Sequence, residues 1–150
     1  MNIEEFWKII DTSVVKNNLD IKEQINDIQI ELSSYSIEDI KEFNYISEQM
    51  IEKAKSNNLL ESISKLFEGK IIFDGGISWS TYEFFIGWLM MQGSEIFHFA
   101  MKDSDSVNDL IQNICNGDIN KCLCEEAIFI ASSAYELKTG RDYFEDFSNL

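Results

Sequence analysis

The residues with obvious means to do chemistry are few. One histidine, His98, and three cysteines, Cys115, Cys122 and Cys124, supply all the imidazole and thiol groups of the chain. Strong zinc patterns pair cysteines as Cys-x-x-Cys, with a second pair of ligands further on. Cys122-x-Cys124 is one residue too short and Cys115 stands apart, so no metal site is expected. A Cys–His nucleophile would have to use His98, which lies between Phe97 and Phe99. That setting reads as a packed imidazole at a helix edge, holding one hydrogen bond. Carboxylate pairs are plentiful: Glu4-Glu5, Glu38-Asp39, Asp103 with Asp105, Glu125-Glu126 and Glu145-Asp146. Neighbouring residues on a helix diverge by about 100°, so such pairs decorate a solvated face rather than converge on a substrate. Asp103-Ser104-Asp105 lacks the glycine and the distal glutamate of a calcium loop. No catalytic residue, no metal and no cofactor is expected, and the balance is against an enzyme.

One further stretch could hold a ligand, Phe73 to Gly93, "FDGGISWSTYEFFIGWLMMQG". Gly75-Gly76 before a helix start could form an anion-binding nest. Neither the three spaced glycines of a dinucleotide fold nor a phosphate-loop lysine is present, however. No Lys or Arg occurs between Lys70 and Lys102, while Asp74 and Glu83 add negative charge. A capping box explains the stretch better: Ser80 caps a helix and Glu83 reaches back to the Ser80 N–H.

The elements that must carry these residues are nearly all helical. Phe6, Ile9, Ile10 and Val14 form one face of a first helix, which Asn17-Asn18 ends, and Asp20 caps the next. Ile21, Ile25, Ile28 and Leu32 keep the 3–4 rhythm of that second helix. Ser36 opens a third, with Ile37, Ile40, Phe43, Met50, Ile51 and Ala54 inward, until Asn57-Asn58. Leu59 to Phe67 forms a short amphipathic helix ended by Gly69. Residues 70–79 are the non-helical patch, with an extended segment at Ile71–Phe73 and no partner strand in view. A long helix is expected over 81–101, apolar on every side and therefore central and buried. Gly87 and Gly93 within it point to a neighbouring helix in close approach, or in the case of Gly93 to a bend. A capped helix over Asp103–Ile114 follows, and a last one runs from Lys121 to Lys138, stopping at Gly140. The expected fold is all-α, one domain over residues 1–150, a compact bundle of six or seven helices around the central aromatic one.

Composition agrees. The 45% hydrophobic fraction and 19 aromatics support a folded core in a chain of 150 residues. Net charge is −15, and residues 1–40, 71–110 and 111–150 carry −6, −5 and −4 of it. A surface this acidic repels phosphate, which disfavours nucleic acid and anionic membranes and favours a basic protein partner. The longest apolar run, Phe84 to Met91, has eight residues against the roughly 20 that span a bilayer. Three cysteines without disulfide spacing, and no leader-like opening, suggest reduced thiols and a cytoplasmic setting.

The run Gly75-Gly76-Ile77-Ser78, then Tyr82-Glu83-Phe84-Phe85, then Gly87-Trp88-Leu89-Met90-Met91-Gln92-Gly93 resembles the bacterial domain-of-unknown-function 4240 family. That family's pattern has a Gly-x-Ser-Asp-Asp loop, an aromatic pair and a Trp-Leu-Ile-x-Gln-Gly helix. The resemblance reaches both ends, through Glu4 to Asp11 and Cys124 to Gly140. Trp79-Ser80 replaces the family's acid pair, and Ile86 stands where a basic residue is common. The resemblance implies kinship and fold, and it brings no reaction. Its polar positions, Glu83, Gln92, Tyr135 and Glu136, join Asp74, Ser78 and Trp79 as candidate ligand- or partner-binding residues. The expected function is a non-enzymatic acidic binding module, such as an immunity protein or inhibitor that neutralises a basic toxin or effector. The alternatives are an enzyme or small-molecule binder with its site at 74–83, and a regulatory or scaffold domain that homodimerises through exposed aromatics.

Overall fold

The computed structural model describes residues 1–18, 20–55, 58–64, 72–73, 76–77 and 79–148. It is all-α apart from one minimal hairpin. In chain order the elements are α1 (Ile3–Asn17), α2 (Ile21–Ser33), α3 (Ile37–Lys55), α4 (Leu59–Ser64), β1 (Ile72–Phe73), β2 (Gly76–Ile77) and α5 (Trp79–Met90). Then follow α6 (Ser94–Lys102), α7 (Ser106–Cys115), 3-10 turns at Ile119–Cys122 and Glu126–Phe129, α8 (Ile130–Thr139) and α9 (Tyr143–Phe147).

Local chemistry sets the helix starts. Asn2 and Glu5 make a reciprocal capping box for α1, and Asp20 accepts from the Glu23 N–H at the start of α2. Ser36 Oγ accepts the Asp39 N–H at 3.1 Å, as its position predicts. Asn18 and Gly140 stop α1 and α8 in the left-handed conformation. α2 lies against α1 and α8, α3 also packs on α8, and α5 runs through the middle. On α5 Tyr82, Phe85, Ile86, Leu89, Met90 and Trp88 are all buried, each worth roughly 1.5–3 kcal/mol of hydrophobic stabilisation. The central aromatic helix of the sequence reading is therefore real over Trp79–Met90.

It does not run on to 101. Gly93, at φ +104°, breaks it and starts α6. Glycine has no side chain to cap the new helix, so Asp11 of α1 does so. Its Oδ1 accepts the Ser94 N–H at 2.7 Å and its Oδ2 accepts the Ser94 hydroxyl. Gly87 is a different case. A Cβ there would meet the Cys124 carbonyl oxygen at 2.8 Å, so this glycine lets the 124–128 segment lie on α5. The close approach expected of it is present, made by a 3-10 turn instead of a helix.

The same contact shortens the last helix. Cys124 N–H donates to Phe84 O at 3.0 Å, which draws the chain out of helical form. Only Ile130–Thr139 is α-helical where Lys121–Lys138 was expected, and α9 adds a turn the sequence reading omitted. Ile72–Phe73 also finds a partner after all: it pairs antiparallel with Gly76–Ile77, Ile72 opposite Ile77. These breaks and additions give nine α-helices among the described residues in place of six or seven. Ile37, expected inward, is 37% exposed.

The cysteines also depart from expectation. Asn116 (φ 50°) and Gly117 (φ 77°) reverse the chain after α7 and bring Cys122 back onto Cys115. The two are joined in a disulfide with Cα atoms 6.6 Å apart, and Cys124 is left as the free thiol. A seven-residue spacing gives no framework signature in sequence; the turn between creates the pairing.

Candidate functional site

Of the described positions singled out by sequence, Trp79 and Glu83 come together, and Gln92, Tyr135 and Glu136 lie apart from them. Asp74 and Ser78 lie outside the described residues. Trp79 begins α5 and is 56% exposed, with its ring edge against Tyr82. Ser80 sits inside the first turn of α5, exposed, so it is not the cap expected of it. Glu83 likewise does not fold back on Ser80. Its carboxylate pairs with the Lys55 ammonium at 2.7 Å, and Glu52 flanks the same lysine at 3.0 Å. Glu83 first, and Glu52 after it, raise the Lys55 pKa against the opposing pull of burial. The ammonium lies 5.4 Å from the Trp79 ring centroid. Trp79, Glu83 and Lys55 thus form one cluster, which fixes the end of α3 to the start of α5. Tyr82, buried beneath it, donates to Ala54 O at 2.6 Å, and burial raises its pKa strongly.

The other candidates are elsewhere. Gln92 is buried in the turn after α5 and donates to Trp88 O at 3.1 Å. Tyr135, on α8, donates to Asp146, which also holds Arg141, and stacks edge-on with Tyr143 and Phe147. That arrangement fastens α9 to α8. Glu136 is exposed. None of this juxtaposes a nucleophile with a base. Among the described residues no three His, Cys, Asp or Glu side chains gather as a metal set. Burial pushes the Cys124 thiol up to about 11, so it is a poor source of thiolate. His98 Nδ1 lies 2.7 Å from Ser94 O, with Trp7 and Phe97 against the ring, the helix-edge packing its neighbours suggested.

Sequence reasoning missed a groove of about 590 Å³ between α6 and α7. Ile96, Phe99, Ala100 and Leu110 supply apolar surface, and Phe99 is 59% exposed. Glu95, Asp103, Asp105 and Asp109 ring that surface, and none of the lining residues is basic. Ser62 of α4 donates to Ser104 at 3.1 Å and so fixes the corner between the two helices. The signal was present in the sequence as "FHFAMKDSDSVND", Phe97 to Asp109, once Phe99 is allowed to face outward.

Residues 1–137 match the family model described as protein of unknown function (DUF4240). The chain belongs to that family. The match spans the opening helix, the Trp88 to Gly93 segment and most of α8, and it ends before the Lys138-Thr139-Gly140 close of the resemblance. No curated protein and no solved structure matches the chain. No helix among the described residues is long and apolar enough to cross a membrane.

Proposed function

We propose that this DUF4240 protein is a binding module for a basic polypeptide, docked in the α6–α7 groove. The observation that supports it is the groove itself: exposed Phe99 and neighbouring apolar carbons ringed by four carboxylates, with no cation among the lining residues. A partner segment with an apolar anchor flanked by Lys or Arg complements such a surface. Charge of −15 over the whole chain steers that partner in and speeds encounter at low salt. The proposal extends to the role of an immunity protein or inhibitor that neutralises a basic toxin or effector, which the acidic lining of the groove supports. So is a cytoplasmic setting, although the Cys115–Cys122 bond removes the reduced-cysteine argument for it.

Binding of a Lys/Arg-rich amphipathic peptide, followed by fluorescence anisotropy at two salt concentrations, tests the reading. The wild-type chain should bind and weaken with salt, and Asp103→Asn with Asp109→Asn should lose affinity at least tenfold. Binding that ignores both changes would refute it. The homodimer reading has its own observation, since Phe129 (39% exposed) and Phe144 (49%) meet edge-on at the surface. Sedimentation across concentration, comparing Phe144→Ser with wild type, separates it from the first.

A further inference from the structure

Two glutamines are buried where α5 breaks into α6, and each uses only half of its carboxamide. Gln24, 1% exposed, donates from Nε2 to Met91 O at 2.8 Å. Gln92, 5% exposed, donates from Nε2 to Trp88 O at 3.1 Å. These carbonyls are free because α5 ends at Met90 and its last turn has no helical donors left. A carbonyl can accept only from the NH₂ end, so the orientation of both amides is fixed by chemistry. Neither Oε1 receives a donor from the described residues. Neither is sealed away, for among described side chains only Trp7 Nε1 is both buried and unpaired. Both side chains line one cavity, which is where their oxygens can meet a donor.

That cavity holds about 210 Å³, the volume of roughly seven waters. Trp88 and Ile114 give it apolar walls, and exposed Lys121 stands among its lining residues. Its lining is asymmetric: two carboxamides whose oxygens have no donor, apolar walls, and a lysine exposed to solvent. We propose that it binds a small zwitterion of α-amino-acid size. The ligand ammonium donates to Gln24 and Gln92 Oε1, its carboxylate pairs with Lys121, and its side chain lies against Trp88 and Ile114. A simple carboxylate would leave both carbonyl oxygens facing an acceptor or apolar carbon, and a simple amine would forgo Lys121. Trp88 and Gln92 belong to the segment that carries the family resemblance, and the site gives both a role beyond packing. It is separate from the groove reading and does not rest on it.

The test titrates the full chain with L-valine, with 3-methylbutanoate (the same skeleton without the ammonium) and with isobutylamine (without the carboxylate). Proton–nitrogen spectra report the side-chain NH₂ groups of Gln24 and Gln92 and the Trp88 indole. Saturable shifts at those three groups with valine, and at least tenfold weaker binding of both analogues, are expected. Gln24→Met should abolish the response. Because that change also uncaps Met91, Lys121→Met at the exposed rim serves as the second variant. It should weaken valine tenfold and leave isobutylamine unchanged. No saturable shift with any of the three compounds, including a cavity that shows only bound water, overturns the proposal. So does equal binding of valine and 3-methylbutanoate, or valine affinity indifferent to Lys121.

Discussion

Gly87→Ala is a direct probe of how the core is assembled. In an exposed helix the change would stabilise by about 1 kcal/mol, because alanine loses less backbone freedom on folding. Here the new methyl would stand 2.8 Å from the Cys124 carbonyl oxygen, 3.1 Å from Ala127 Cβ and 3.3 Å from Ile128 Cγ2. The first of these is backbone, held by the Cys124 N–H bond to Phe84 O at 3.0 Å, and cannot rotate aside. Overpacking of a core costs about 1–3 kcal/mol, and a backbone clash belongs at the upper end. Net destabilisation should be about 1–2 kcal/mol, a melting temperature lower by roughly 2–8 °C in a domain of this size. Urea denaturation with an unchanged m-value measures it. Gly140→Ala is the control, since it meets nothing within 4 Å and carries only the strain of φ +71°. If Gly87→Ala proved neutral or stabilising, the 124–128 segment would not lie on α5 as described.

Three further outcomes follow from single contacts. Asp11→Ala removes the cap that α1 lends to α6 and should cost about 1–2 kcal/mol, with faster hydrogen exchange at the Ser94 amide; protection unchanged there would contradict it. Asp27 is held below the usual carboxylate value, first by the Lys16 ammonium and then by the Asn17 amide. Because its folded pKa is the lower one, its contribution to stability is present above the ordinary value of 3.8 and is lost as pH falls through the folded pKa. Asp27→Asn should therefore lower stability at neutral pH and flatten the acid limb of the stability profile; an unaltered acid limb would count against the pair. Alkylation of denatured, unreduced protein should cap Cys124 alone, and intact mass showing three capped thiols would refute the Cys115–Cys122 bond.

Much of the fold was legible because it is written locally. Ser36, Asp20 and Gly140 act within a few residues of themselves, and the 3–4 rhythm of α2 and α3 places Ile28, Leu32, Ile40 and Phe43 in the core as expected. What was not legible depends on distant partners. The Ser-x-x-Glu pattern at Ser80 looks like a capping box until Lys55, from α3, claims Glu83. The apolar run through residue 101 looks continuous until Asp11 rewards a new helix start at Ser94. The break turns Phe99 outward, so a residue counted with the core becomes part of the groove. The candidate site was accordingly sought at 74–83, whereas the acidic groove lies one helix later. Gln92 was singled out for its place in the family's motif, but Gln24, which lines the same cavity, had no mark in the sequence.

The most direct measurement of the central claim is a titration of the labelled chain with a Lys/Arg-rich amphipathic peptide, read residue by residue in proton–nitrogen spectra. Saturable, salt-sensitive shifts along Glu95–Asn113, centred on Phe99 and Asp109, are expected, with the same pattern in a Glu83→Gln variant. Shifts clustered instead around Trp79 and Glu83, or absent at low salt, would contradict it.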